Sequence, residues 1–121
     1  MKRQHRLRRD ADFQRVRSEG RAWPHPLLIF SVAPSQVGAT RVGIVVSRRV
    51  GKAVVRNRVK RRLREAVRRV FPNLRAGYDI VVIARPSATQ ATVHELVAAV
   101  EEAARRAKVL GAGFGGAPES A

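Results

Sequence analysis

The 121-residue sequence has no cysteine and few acidic residues, with 9 Asp and Glu against 25 Lys and Arg. The absence of cysteine excludes disulfides, thiolate metal sites and a cysteine nucleophile. The acids are scattered along the chain, and neither they nor the 3 histidines show the spacing of a metal site or an acid/base pair. A catalytic site on the protein is therefore not predicted.

Long hydrophobic runs are also missing from the sequence, as is the apolar segment that would follow the basic start of a secretory signal. No stretch approaches the roughly 20 apolar residues that a membrane-spanning helix needs. We therefore expect a cytoplasmic protein with no membrane partner. The length of 121 residues fits a single domain.

Positive charge is abundant but unevenly distributed, and the net charge at pH 7 is +16. Residues 41–69 hold twelve basic residues and a single acid, Glu65. Such a concentration repels itself unless a polyanion neutralises it, and a solvated basic face is the alternative. A membrane-binding helix would carry Trp, Phe or Leu opposite its basic face, whereas this segment carries an ordinary aliphatic stripe. Nucleic acid is the favoured partner.

Hydrophobic periodicity and turn residues predict an α+β sandwich, in which helices pack on one sheet. Two successive runs of strand type are joined by a short loop with Pro and Gly, which is typical of an antiparallel pair. Thr92 and Glu95 match a capping box at the start of the last helix. The predicted elements are a helix over 10–18, a break at 23–26, strands over 27–33 and 41–47, a helix closed by Pro72, a strand over 78–84, a helix from 93 to about 110, and a disordered Gly-rich tail over 111–121.

The helix before Pro72 has two different faces when its residues are placed at 100° intervals. The predicted core face is an apolar stripe made of Val59, Leu63, Ala66, Val67 and Val70. Roughly opposite, between about 140° and 200° from Val59, the helix presents Asn57, Arg61, Arg64 and Arg68. Like charges at these spacings repel one another, so this face is predicted to bind phosphates.

Residues 41–65 closely resemble the signature of the bacterial ribonuclease P protein subunit. The specific part is Arg56-Asn57-Arg58, followed by Lys60-Arg61 and Leu63-Arg64-Glu65. The resemblance extends to residues 6–16 and 79–85 and covers roughly 6–110 in the expected order. An isolated Arg-Asn-Arg would be weak, but this ordered set is specific.

The resemblance implies the small subunit of a ribonucleoprotein that removes the 5′ leader from precursor tRNA. In that family the RNA subunit carries the catalytic site with its Mg²⁺ ions, and the protein has no small-molecule cofactor. The implied fold has the order α-β-β-β-α-β-α with a left-handed β-α-β crossover, as in the second domain of ribosomal protein S5. It spans residues 1–110 as one RNA-binding domain and includes a short extra strand near residues 21–23.

The resemblance also implies two sets of binding residues. The set expected to bind the RNA subunit is Arg56, Asn57, Arg58, Lys60, Arg61, Arg64 and Arg68. The set expected to contact the precursor-tRNA leader, in a cleft between the sheet and the first helix, is Phe13, Arg17, Phe30, Arg48, Arg49 and Lys52. Family members often carry an aromatic residue where Arg17 stands, and a guanidinium plane can also stack on a base.

Several alternatives stay open from the residues alone. Phe13 and Phe30 are equally compatible with packing in the core, and Asn57 is compatible with a helix cap. A ribosomal-type binding module would share the charge and the fold but not the ordered signature. A DNA-binding regulator would require a helix-turn-helix pair, and a protein-only nuclease would require a carboxylate cluster.

Overall fold

The computed structural model describes residues 3–111, so the tail predicted to be disordered lies outside the described residues except for Gly111. None of the helices within residues 3–111 is long and apolar enough to cross a membrane. The helices and strands are α1 (Asp10–Glu19), β1 (Arg21–Pro24), β2 (Leu28–Pro34), β3 (Arg41–Val45), α2 (Ala53–Val70), β4 (Tyr78–Ala84) and α3 (Val93–Arg106).

The four strands form one mixed sheet in the order β1-β2-β4-β3. β2 pairs antiparallel with β1 and with β4, whereas β3 pairs parallel with β4. The sequence predicts an antiparallel pair between the strands at 27–33 and 41–47, which correspond to β2 and β3. This prediction is wrong, because β4 lies between them. β4 is the most buried strand, and Ile80, Val81 and Val82 are fully buried, which agrees with its position inside the sheet.

The main core lies between one face of the sheet and the helices α2 and α3. The predicted apolar stripe of α2 is buried in full, and it consists of Val59, Leu63, Ala66, Val67 and Val70. The predicted capping box of α3 is also present, since the Thr92 hydroxyl accepts from the Glu95 amide and the Glu95 carboxylate accepts from the Thr92 amide. The predicted α+β fold class is confirmed.

Two details of the chain path differ from the pattern read from the residues alone. α3 ends at Arg106 rather than near residue 110, because Lys108 turns the chain with a φ of 62° and Leu110 then pairs with Leu74. The break at 23–26 contains part of β1, the short strand that the family resemblance implies. The residue pattern does not predict this strand, because Pro24 is typical of a break. An edge strand such as β1 nevertheless tolerates proline.

The opposite face of the sheet carries α1, whose Val16 is buried against Ala33 and Val81. Beside this contact, the fully buried carboxylate of Asp79 in β4 binds two arginines. Its Oδ1 accepts from Arg41 Nε at 3.0 Å, its Oδ2 accepts from Arg41 Nη2 at 2.8 Å, and Arg15 of α1 donates to the same Oδ2. Asp12 lies 3.6 Å from Arg15 Nη2 and 3.8 Å from Arg41 Nη2.

The two guanidinium groups determine the ionisation state of Asp79. Burial by itself raises the pKa of the carboxyl, but the hydrogen bonds from Arg41 and Arg15 outweigh it and hold the pKa below its ordinary value. The group therefore remains ionised at neutral pH and ties α1 to β3 and β4.

We expect Asp79→Asn to lower the free energy of unfolding at pH 7 by about 3 kcal/mol, because it leaves two largely buried guanidinium groups with only the more distant Asp12 as a partner. The folded pKa lies below the unfolded value of about 3.9, so the stabilisation is present above about pH 4 and is lost as pH falls further. Urea unfolding of both proteins between pH 7 and 2.5 tests this. An equal gap at both ends of the range would contradict it.

Candidate nucleic-acid interface

The outer face of α2 is an array of exposed polar and basic side chains. Asn57, Arg61 and Arg64 are exposed, and within residues 3–111 neither arginine forms an ion pair. The helix forms because its apolar stripe packs on the sheet, which offsets the repulsion between neighbouring arginines. This surface therefore presents unneutralised positive charge to solvent.

Two other arginines of α2 hold the surrounding structure in place. Arg56 Nε donates to the carbonyl of Gly51 at 3.1 Å, which fixes the loop before the helix. Arg62 Nη1 donates to the carbonyl of Ala91 at 3.2 Å, at the start of α3. The alternative of Asn57 as a helix cap is wrong, because α2 begins at Ala53 and Asn57 lies in its second turn.

Glu65, the one acid of α2, pairs with the arginines of the last turns. Its carboxylate accepts from Arg68 at 2.9 and 2.6 Å and from Arg69 at 2.9 Å. The hydrogen bonds from Arg68 and then Arg69 lower the pKa of Glu65 to about 2. Arg68 therefore differs from Arg61 and Arg64, since it already shares a carboxylate with Arg69.

Phe13 and α2 line a common cavity at the edge of the sheet. The ring of Phe13 lies on the backbone of Gly43 in β3, where a Cβ atom would overlap the ring. A cavity of about 140 Å³ opens beside the ring, and it is lined by Arg6, Leu7, Phe13, Val42, Gly43, Ile44, Lys60 and Arg64. The structure thus places Phe13, which is predicted to contact the leader, in the same cavity as Lys60 and Arg64, which are predicted to bind the RNA subunit.

The prediction that Phe30 lines the cleft with Phe13 is wrong. Phe30 is only 1% exposed and packs in the core beneath α2 and α3, on the face of the sheet opposite to Phe13. Side chains alternate along a strand, so its neighbour Ile29 points to the α1 face instead. A shift of one residue along the strand moves a side chain to the opposite face of the sheet. The run 27–33 is apolar at almost every position, so its sequence does not show which residues face α1.

A row of aliphatic residues on the α1 face was not found by sequence reasoning. Ile29 pairs with Ile83, which pairs with Val45, so the three lie side by side across β2, β4 and β3. All three are only partly buried, because α1 covers the other half of the sheet. We call this surface the open half of the sheet, and Phe13 and the exposed Arg17 lie on the side of α1 next to it.

The remaining predicted leader residues lie beyond the end of β3. Arg48 and Arg49 belong to a single turn of 3₁₀ helix, Lys52 precedes α2, and all three are exposed. They do not line the cavity beside Phe13. They follow Val45 along the chain, so they lie at the end of the open half of the sheet.

The fold and the charge distribution define a small basic α+β protein whose surface suits a polyanion. The family model described as Ribonuclease P matches residues 1–108. The ribonuclease P protein component of Herpetosiphon aurantiacus is 44% identical over 109 residues, which are 90% of this chain and 89% of that protein. That of Symbiobacterium thermophilum is 48% identical over 111 residues, 91% and 96% of the two chains.

Solved structures agree with the sequence comparisons. The RNase P protein of Staphylococcus aureus superposes with a TM-score of 0.77 at 31% identity, covering 88% of this chain and 97% of that one. The chain therefore belongs to the family of ribonuclease P protein components. The family comprises protein subunits of a tRNA-processing ribonucleoprotein endonuclease, and they partner an RNA subunit.

We expect Gly43→Ala to destabilise the protein by roughly 1–3 kcal/mol, because the added methyl group displaces the Phe13 ring. Phe13→Ala creates the space that the methyl group needs, so the double variant should lose less stability than the sum of the single variants. Urea unfolding of the wild type, both single variants and the double variant measures this coupling. Strict additivity would show that the ring does not depend on Gly43.

Proposed function

We propose that this subunit binds the RNA subunit of ribonuclease P through α2 and the precursor-tRNA leader through the open half of the sheet. It thereby assists Mg²⁺-dependent endonucleolytic removal of the leader, which leaves the mature 5′ end of the tRNA. The single observation that carries the proposal is the cavity in which Phe13 meets Lys60 and Arg64. A base-stacking side chain and phosphate-binding side chains share one surface there.

The outer face of α2 supports the part of the proposal that concerns the RNA subunit. Arg61 and Arg64 are exposed and free of carboxylates within the described residues, and Lys60 and Arg58 flank them. Guanidinium groups bind phosphates with two parallel hydrogen bonds. Arg68 contributes less than the others, because Glu65 competes with phosphate for it.

The open half of the sheet supports the part that concerns the leader. Single-stranded RNA is bound by surfaces on which bases stack, with basic groups along the backbone. The row Ile29–Ile83–Val45 offers a flat apolar floor, and Phe13 and Arg17 offer stacking side chains at its border. The exposed Arg48, Arg49 and Lys52 are available to the phosphates beyond the floor.

The chemistry of cleavage is assigned to the RNA subunit and to Mg²⁺ ions that this RNA binds. Among residues 3–111 there is no group of three acidic, His or Cys side chains that could hold a metal ion. The acids that come close to the interface, Asp12, Glu65 and Asp79, are all paired with arginines. The role of the protein is therefore binding and positioning.

Reconstitution tests the proposed function. A bacterial ribonuclease P RNA is mixed with precursor tRNA at low Mg²⁺, with and without the protein, and release of the 5′ leader is followed. We expect cleavage that requires both macromolecules. Binding of the RNA without any effect on cleavage would instead indicate a ribosomal-type binding module.

We expect Arg61→Ala and Arg64→Ala to weaken binding of the RNA subunit, because each removes a phosphate contact. Each should also reduce the slope of log K against log salt by roughly 0.7–0.9. Filter binding between 50 and 400 mM salt measures both quantities, with Arg105→Ala on the exposed side of α3 as the control. If the α2 variants and the control gave the same slope, α2 would not be the RNA-binding surface.

We expect Phe13→Ala to weaken binding of precursor tRNA to the holoenzyme by roughly 1–3 kcal/mol, the cost of a lost stacking contact. Binding of mature tRNA, which lacks a leader, should change little. The control is Phe30→Leu, which removes an aromatic ring that lies in the core and should leave both affinities intact. Equal losses for the two tRNAs would assign Phe13 to the core alone.

A further inference from the structure

The outer face of α2 is not the only basic surface of the described residues. A second one is formed by the segment Gln4–Arg9, which precedes α1. We call this segment the strap. The ring of His5 stacks on Phe71 at a centroid distance of 4.3 Å. Leu7 is buried, and its amide donates to the carbonyl of Val42 in the edge strand β3 at 3.0 Å. These contacts hold the strap along β3, and its exposed arginines flank the buried Leu7.

The strap borders a cavity of about 610 Å³, open to solvent, between itself, α1, the start of β3 and the β2–β3 loop. We call it the strap cavity, and its polar lining consists of Gln4, Arg6, Arg8, Arg9, Asp12, Gln36 and Arg41. Its size is that of a ligand site, but arginines replace the apolar and aromatic side chains that line most small-molecule pockets. This lining favours an anion with several oxygen acceptors.

The charge of the strap cavity is not neutralised by the protein. Asp12, Arg15, Arg41 and Asp79 form the buried network described above, in which two arginines balance two aspartates. Within residues 3–111, the side chains of Arg6, Arg8 and Arg9 form no ion pair. Three guanidinium groups therefore face the cavity and solvent without a partner.

Arg6 connects this surface to α2, because it lines both the strap cavity and the smaller cavity beside Phe13. Lys60 and Arg64 line the second of these, so positive charge continues from α2 past the edge of the sheet to the strap. The open half of the sheet lies elsewhere. Val45, in the open half, is four residues along β3 from Arg41 of the strap cavity, which is roughly 13 Å. Asp12 of α1 lines the strap cavity, whereas Phe13 of the same helix packs towards Val45 and Ile83.

On the basis of the function proposed above, we propose that the strap cavity is a second RNA-binding site, which takes backbone phosphates of the RNA subunit. An RNA strand that lies on the outer face of α2 reaches the strap cavity past Arg6 and the cavity beside Phe13, without entering the open half of the sheet. Arg8 and Arg9 then bind phosphates that α2 cannot reach, and Gln4 and Gln36 supply neutral donors.

The first test compares charge-removing variants in binding of a bacterial ribonuclease P RNA. We expect Arg8→Gln/Arg9→Gln to weaken binding about tenfold or more, since two charge-assisted contacts are lost. It should also reduce the salt slope by roughly 1.4–1.8. The control Arg105→Gln/Arg106→Gln removes the same charge from the end of α3 that contacts β1, the edge strand opposite β3, and should have little effect.

The outcomes separate this proposal from the one on which it rests. If the strap variant matched the control while Arg61→Ala still weakened binding, the strap cavity would not be an RNA site and α2 would keep its role. If Arg61→Ala were also silent, the proposed function itself would fail. Thermal unfolding of each variant checks that the fold is kept. We expect no change in the unfolding temperature, because the substituted side chains are exposed.

The second test locates the RNA beside the cavity. The chain has no cysteine, so Gln36→Cys provides a unique thiol for an iron chelate that generates hydroxyl radicals. In the reconstituted holoenzyme with precursor tRNA, we expect strand cleavage in the RNA subunit, and Arg105→Cys serves as the control. Cleavage confined to the precursor tRNA would overturn the assignment to the RNA subunit, and the absence of cleavage above that control would overturn the site.

Discussion

The buried carboxylate of Asp79 is the constraint on which the arrangement of both surfaces depends. It lies at the start of the central strand and binds Arg41 from the edge strand and Arg15 from α1. A buried charge without a partner is strongly unfavourable, so folding brings both arginines to it. α1 is thereby held across one half of the sheet, the other half stays open, and Phe13 is held over Gly43.

The same pairing explains where positive charge remains available. The acids nearest the interface pair with Arg15, Arg41, Arg68 and Arg69, and these pairs serve the protein's own structure. Arg61, Arg64 and the arginines of the strap have no such partner within the described residues. Their mutual repulsion is a cost of folding that burial of the α2 stripe offsets. An RNA that binds them removes this repulsion, so stability and binding involve the same side chains.

Sequence reasoning succeeded where the signal was local and failed where it depended on strand pairing. The bounds of α1 and β4, the buried stripe of α2 and the capping box at Thr92 all follow from the spacing of residues within one element. The order of the strands does not, because β4 enters between β2 and β3 from a distant part of the chain. The family resemblance assigned Phe30 to the cleft, and the residues alone do not decide its face of the sheet, since β2 carries apolar residues on both faces.

By itself, the sequence determined the class of fold, the excess of positive charge, the helix on which that charge is densest and the family signature around Asn57. Each of these features depends only on composition or on residues close together in the chain, so it can be recognised without knowledge of long-range contacts. Only the tertiary structure decided that Phe13 and Arg64 line one cavity and that Ile29, Ile83 and Val45 form a row. It also decided that the strap borders a second basic cavity. These features join residues far apart in the chain, and only the pairing of strands and the ion pairs of Asp79 bring them together.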